Sequence, residues 1–342
     1  MTSPVHRASP PSRSRAMALL RPGEGTLQAI EREVAPPGPG ELLLRVHVCG
    51  VCRTDLHVVD GELPLQRFPC VPGHEVVGSV VAAGPGAARF APGTRVGVPW
   101  LHDTCGTCRW CASGRENLCE SARFTGWTVD GGYAEYMTAR EDFCFALPPA
   151  CSDEQAAPLL CAGLIGWRAL GMAGAARTLG LYGFGAAGHL VAQVALQQGR
   201  RVYAFTRPGD AAAQALARSL GVQWAGGSDE TPPTPIDGAL LFAPVGALVP
   251  IALAHSEPGS TIVCAGIHMS DLPAMPYSLL WKERAVRSVA NLTRCDGATF
   301  FEWLATHPLA STTEVFPLAA ANEALARLRS GRLTGAAVLD CR

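Results

Sequence analysis

The chain has 342 residues, enough for two domains of ordinary size, and 48% of them are hydrophobic, enough for a substantial core. Lys plus Arg number 28 against 29 for Asp plus Glu, a balance that excludes the basic bias of a general nucleic-acid or membrane-surface binder. No apolar run reaches the roughly 18 residues needed to span a membrane.

Residues 1–15 are rich in Ser, Pro and Arg and lack the apolar centre of an export signal. They read as a disordered tail. Thirteen cysteines without such a signal fit the reducing cytoplasm. Short strand-like runs follow, punctuated by glycine and proline: Glu41–Val48, then Val76–Ala83 between Gly73 and Gly84-Pro85-Gly86, then Arg95–Val98 after a Pro-Gly turn. That pattern predicts an all-β, barrel-like domain over 16–161. After about Leu160 the character changes. Thr178–Tyr182 reads as a strand, Ala186–Gln198 as a helix, Arg201–Thr206 as a strand and Asp210–Leu220 as a helix. A polar, proline-bearing loop is expected over Gly226–Pro235, then strands at Gly238–Phe242, Thr261–Ala265 and Val286–Ala290. Strands alternating with helices predict right-handed βαβ units and a doubly wound parallel sheet over 162–292.

Three constellations carry chemistry. Cys105, Cys108, Cys111 and Cys119 lie within fifteen residues. Four thiolates so close can wrap one tetrahedral zinc and leave no position open, so the site is structural. Disulfides or unrelated thiols are the alternatives. Gly183-Phe184-Gly185-Ala186-Ala187-Gly188 stands between a strand and a helix, the context that a dinucleotide-binding turn requires. Gly183 makes the turn, Gly185 admits the pyrophosphate and Gly188 lets the helix pack, with the helix N-terminus, Ala186 and Ala187, facing the phosphates. The third set is dispersed: Cys52, His74 and Cys161. Singly, each has a bland reading. Together they fit two thiolates and one imidazole of a catalytic zinc with its fourth position open. The other seven cysteines, Cys49, Cys70, Cys144, Cys151, Cys264, Cys295 and Cys341, share no spacing and read as ordinary small apolar residues.

These features, in this order, resemble the zinc-dependent alcohol dehydrogenases of the medium-chain dehydrogenase/reductase superfamily from about Ala16 onward. The resemblance implies a GroES-like, partly open β-barrel catalytic domain plus a Rossmann coenzyme domain, with 293–342 returning to the first. It implies two zinc ions per chain and reversible hydride transfer between a primary or secondary alcohol and a nicotinamide cofactor. It further implies a proton relay from Thr54 through the nicotinamide ribose to His57. Asp55 would orient His74, Glu75 would approach the metal during ligand exchange, and Arg294 would reach the pyrophosphate. Trp100 and Trp127 are candidate pocket walls. Relatives assemble as homodimers or homotetramers. A quinone or enoyl reductase of the same superfamily, or a catalytically silent NADP-binding relative, is the alternative; the metal ligands argue against both. One departure stands out: Leu164-Ile165-Gly166-Trp167 replaces the threonines that line the nicotinamide site in relatives.

The end of the second Rossmann strand bears on cofactor choice. The acid that binds the ribose of NAD is missing, and Thr206-Arg207 takes its place. Thr206 and Arg207 could hold a 2′-phosphate, which tilts the balance to NADP, with NAD the alternative.

Overall fold

The computed structural model describes residues 10–21, 23–63, 67–333 and 335–342. Residues 1–9, most of the expected tail, lie outside the described residues. Its last three residues are not tail. They open strand β1 (Arg13–Ala18), which pairs antiparallel with β2 (Gln28–Glu33). Composition hides this strand because its partners are distant. The N–H groups of Met17 and Leu19 donate to the carbonyls of Tyr133 and Cys70, both at 2.8 Å, and both side chains are buried.

The first half is built on β3 (Glu41–Val51), an aliphatic strand with most side chains buried. Helix α1 (Arg53–Val59) leaves its end. β4 (Val76–Ala83) and β5 (Arg95–Val98) follow at the bounds read from sequence. β6 (Leu101–Asp103), α2 (Arg109–Ala112), β7 (Arg123–Phe124), β8 (Tyr136–Arg140), β9 (Phe145–Ala146) and α3 (Asp153–Ala156) complete this half.

Helix α4 (Ala162–Met172) leads into β10 (Thr178–Tyr182), α5 (Ala186–Gln197), β11 (Arg201–Thr206) and α6 (Ala211–Ser219). On α5 the buried Leu190, Val191, Val194 and Ala195 form one stripe, the amphipathic face that a helix lays on a sheet. β12 (Trp224–Gly227) takes the first two residues of the expected loop. β13 (Ile236–Leu241), α7 (Leu248–Ala254), β14 (Ser256–Cys264) and β15 (Ala285–Ser288) finish a six-stranded parallel sheet of order β12-β11-β10-β13-β14-β15. Its central strands are buried on both faces, as parallel sheets require.

The chain then runs through α8 (Arg294–Leu304), β16 (Thr313–Pro317), α9 (Ala321–Arg329) and β17 (Ala336–Asp340). β17 pairs antiparallel with the C-terminal end of β3, Val48–Val51. The final segment therefore closes the first sheet, of order β16-β17-β3-β4-β5-β9, with β8 on the other half of β3. A GroES-like barrel and a Rossmann-like sheet make up the chain. No helix among the described residues is long and apolar enough to cross a membrane.

Candidate functional site

The dispersed ligands converge at the junction of the two sheets. Cys52 follows β3 directly as the N-cap of α1: its Sγ accepts the Thr54 N–H at 3.3 Å, while Asp55 Oδ2 accepts the Cys52 N–H at 2.9 Å. His74 and Glu75 precede β4, and Cys161 is the N-cap of α4. Ligand atoms of Cys52, His74, Glu75 and Cys161 all lie within 4.8 Å of one another. Cys52 Sγ is 3.9 Å from Cys161 Sγ and 3.1 Å from His74 Nε2. A tetrahedron with bonds of about 2.3 Å has edges of about 3.8 Å, so the donor set fits one zinc.

The electrostatics fit a cation as well. The Cys161 thiol and the imidazole of His74 hold Cys52 well below the usual thiol pKa, against its burial. Its hydrogen bond to Cys52, followed by burial, pushes Cys161 up. Burial also pushes Glu75 far above the carboxylate range. Two thiols and a carboxyl packed this closely repel one another once ionised, and a divalent ion at their centre removes that conflict.

Asp55 is fully buried behind His74. Its Oδ1 accepts from His74 Nδ1 at 3.0 Å and the Gly73 N–H at 3.3 Å; its Oδ2 accepts the Tyr133 hydroxyl at 3.2 Å. Nδ1 being taken, Nε2 faces the thiols, the arrangement that orients a metal-binding imidazole. Tyr133 lies 78 residues from Asp55 and has no local signal. Thr54 and His57 share α1 with Asp55. His57 Nδ1 contacts the half-exposed Glu62, and its ring lies 5.7 Å from that of His268. Neither partner was legible in the sequence. Trp100 meets the His74 ring edge-on at 4.9 Å and stacks with Phe124 and Trp127. Both tryptophans thus belong to one aromatic wall beside the ligands.

Cys105, Cys108, Cys111 and Cys119 form the second cluster. Sγ separations of 3.9 Å (Cys105–Cys111), 3.6 Å (Cys108–Cys111) and 3.6 Å (Cys105–Cys119) again match a tetrahedral edge. None of the thirteen cysteines is in a disulfide. Of the seven cysteines outside the two clusters, Cys49, Cys70, Cys144, Cys264 and Cys341 are buried, Cys151 is partly buried and Cys295 is exposed.

The glycine turn sits at the carboxyl end of β10, the edge at which open α/β sheets bind ligands. Gly183 has φ +94°, and a Cβ on Gly188 would lie 2.4 Å from Gly183 O. Any larger residue would push helix from strand. A Cβ on Gly185 would meet nothing within 4 Å, so this side of the turn is open, as a pyrophosphate requires. Ala186 and Ala187 begin α5.

At the end of β11 the two candidates diverge. Arg207 projects outward, its side chain 89% exposed and 3.5 Å from Asp210. Thr206 is buried, and its hydroxyl donates within 3.2 Å of the carbonyls of Arg207 and Gly226 and accepts from Gln214 Nε2. The Thr206 hydroxyl is thus already engaged by protein groups. Thr206 is the last residue of β11, buried like the four before it, and Arg207 lies just beyond the strand's end, where the chain turns out. Arg294 opens α8. Its backbone N–H and Nε both donate to Glu116 Oε1, at 2.9 and 3.2 Å.

Residues 38–149 match the family model described as the alcohol dehydrogenase GroES-like domain. The chain is 47% identical over 340 residues to a probable alcohol dehydrogenase, AdhA, of Mycobacterium tuberculosis, covering 95% of this chain and 96% of that one. It is 34% identical to an alcohol dehydrogenase of Geobacillus stearothermophilus, with 94% and 98% covered. A solved structure of a cobalt- and zinc-bound thermostable alcohol dehydrogenase from Pyrobaculum aerophilum superposes with a TM-score of 0.87 at 29% identity, covering 96% and 99%.

Proposed function

The chain belongs to the zinc-containing medium-chain alcohol dehydrogenase family, and on that footing we propose that Cys52, His74 and Cys161 hold its catalytic zinc with the fourth position left to substrate. It is an oxidoreductase that interconverts alcohols with aldehydes or ketones, using NAD(H) or NADP(H). One observation carries the residue assignment: three residues distant in sequence meet at tetrahedral spacing, with Asp55 fixed behind the imidazole. When bound, the zinc supplies a Lewis acid at the substrate oxygen, and the nicotinamide donates or accepts the hydride.

The protein's own groups do the rest. Asp55 holds His74 with Nε2 turned to the ligand cluster. Thr54, two residues beyond Cys52, accepts a hydrogen bond from the substrate hydroxyl. His57, partly buried, carries the proton outward, and Glu62 on its Nδ1 leads to water. Glu75, whose carboxylate lies within the same ligand cluster, would be the residue to approach the metal during ligand exchange. Trp100, Phe124 and Trp127 exclude water from the substrate side. Gly183, Gly185 and Gly188, with the N–H groups of Ala186 and Ala187, cradle the pyrophosphate, and Arg294 contacts it. Residues 13–161 with 293–342 form the catalytic half, and 162–292 the cofactor half. A steady-state screen of primary and secondary alcohols and of carbonyl compounds, with both cofactors, tests the activity; two zinc ions per chain is the expected metal content.

Arg207 favours NADPH over NADH. Arg207 is held 3.5 Å from Asp210, and its exposed guanidinium is the group offered to a 2′-phosphate, against the nearby carboxylates of Asp229 and Glu230 beside Pro208. Because Arg207 is exposed, the preference in kcat/KM should be moderate, about tenfold. Arg207→Ala is expected to remove it. Equal or better kcat/KM with NADH in the wild type would show that Arg207 does not read the phosphate, leaving the zinc assignment intact.

The assembly is a homodimer or homotetramer. β15 ends its sheet with one edge unpaired among the described residues, and Trp281 and Tyr277 beside it are 58% and 69% exposed. An open strand edge flanked by apolar side chains is a surface that proteins cover. Trp281→Arg should shift the mass measured by light scattering toward the monomer; a wild type that is itself monomeric contradicts the assignment.

A further inference from the structure

The four-cysteine lobe reaches the segment that carries Arg294. Between its ligands Cys111 and Cys119, a short turn presents two adjacent buried side chains, Glu116 and Asn117. Asn117 Nδ2 donates to Ala290 O at 2.8 Å. Glu116 Oε1 takes both the backbone N–H and the Nε–H of Arg294. The Glu116 side chain is 4% exposed and that of Arg294 is 45% exposed. The carboxylate therefore sits deep and the guanidinium points out from it. The Phe143 ring lies 5.1 Å from Cζ and fixes a second face.

These contacts grip Arg294 at its backbone, at Nε and on one ring-facing side. Among the described residues its two terminal amino groups have no protein partner. They are the fork that arginine presents to phosphate. α8 follows the carboxyl end of β15, on the same sheet edge as the glycine turn after β10.

We propose that Glu116 is a positioning residue for cofactor binding: through it the structural-zinc lobe holds the Arg294 fork open toward the pyrophosphate. This rests on the cofactor role assigned to Arg294 above. The lobe is then more than a staple, because its fold sets the aim of a residue that serves the cofactor half.

The test is direct binding to the two-zinc enzyme, measured by calorimetry. ADP-ribose carries the pyrophosphate and AMP does not. Glu116→Ala should weaken ADP-ribose about tenfold and leave AMP within about twofold. Arg294→Ala should do the same. The double variant should be no weaker than Arg294→Ala alone, since both act through one contact. Zinc should stay at two per chain in each variant. If Arg294→Ala weakens ADP-ribose while zinc-replete Glu116→Ala does not, or binds it more tightly, the positioning role is wrong and the Arg294 assignment stands. If Arg294→Ala leaves ADP-ribose unchanged, both fall. Should Glu116→Ala lose zinc, Glu116→Asp keeps the charge but withdraws the carboxylate by one methylene; wild-type ADP-ribose affinity in that variant also overturns the proposal.

Discussion

Cys52→Ala should lower kcat for alcohol oxidation at least a thousandfold, because removal of a Lewis acid forfeits several kcal/mol of transition-state stabilisation, on the order of 4 kcal/mol here. Without the Cys52 thiolate the cluster keeps one thiol, one imidazole and the carboxyl of Glu75. That set lacks the thiolate which the Cys161 thiol and His74 stabilise most strongly. Zinc content should fall from two per chain toward one. Cofactor binding should persist, since the glycine turn sits on β10 and α5, elements that Cys52 does not cap. The substitution also removes a helix cap, which costs about 0.5–2 kcal/mol, so some loss of thermal stability accompanies the loss of turnover. Cys52→Ser keeps a capping oxygen and separates the two effects: it should be as inactive but melt closer to wild type. Wild-type kcat in either variant would remove Cys52 from the catalytic site.

Cys111→Ser should release the other zinc and unfold the lobe around it. Residues 104–115 include none that is buried. The lobe has no apolar core of its own, and Trp110 is merely flanked by the guanidinium groups of Arg109 and Arg115, 4.3 and 4.7 Å from its ring centre. Metal binding therefore supplies its folding energy, about 10–16 kcal/mol in isolated zinc modules. Losing one thiolate should drop zinc by one per chain, expose 105–119 to proteases and lower Tm or solubility. The catalytic cluster is built on other elements, so any residual activity should retain its dependence on Cys52. Full zinc content with an unchanged melting curve would mean that the four thiols are not a metal site.

Features set by neighbouring residues are legible in the sequence alone. The four cysteines of the lobe lie within one short segment, and chain geometry alone brings them together. The glycine turn needs only a strand before it and a helix after it, and both stand at the expected places. β4, β5, β10 and β11 keep their sequence bounds because glycine and proline mark their ends and aliphatic residues fill them.

Tertiary structure decided whatever depends on distant partners or on the facing of a side chain. Cys52, His74 and Cys161 carry no spacing signal; β3, the loop before β4 and the start of α4 bring them within reach, and only a family resemblance joined them beforehand. β1 and the residue after it are held because the carbonyls of Tyr133 and Cys70 await the N–H groups of Met17 and Leu19. β17 completes the first sheet because β3 offers an edge nearly three hundred residues earlier in the chain. Thr206 and Arg207 are neighbours in sequence, yet β11 ends between them, so one hydroxyl is buried and the other residue's charge extends into solvent. Glu116 and Arg294 are 178 residues apart, and no periodicity links them. A hydrogen bond between such groups becomes legible only when folding has already removed the chain entropy that separates them.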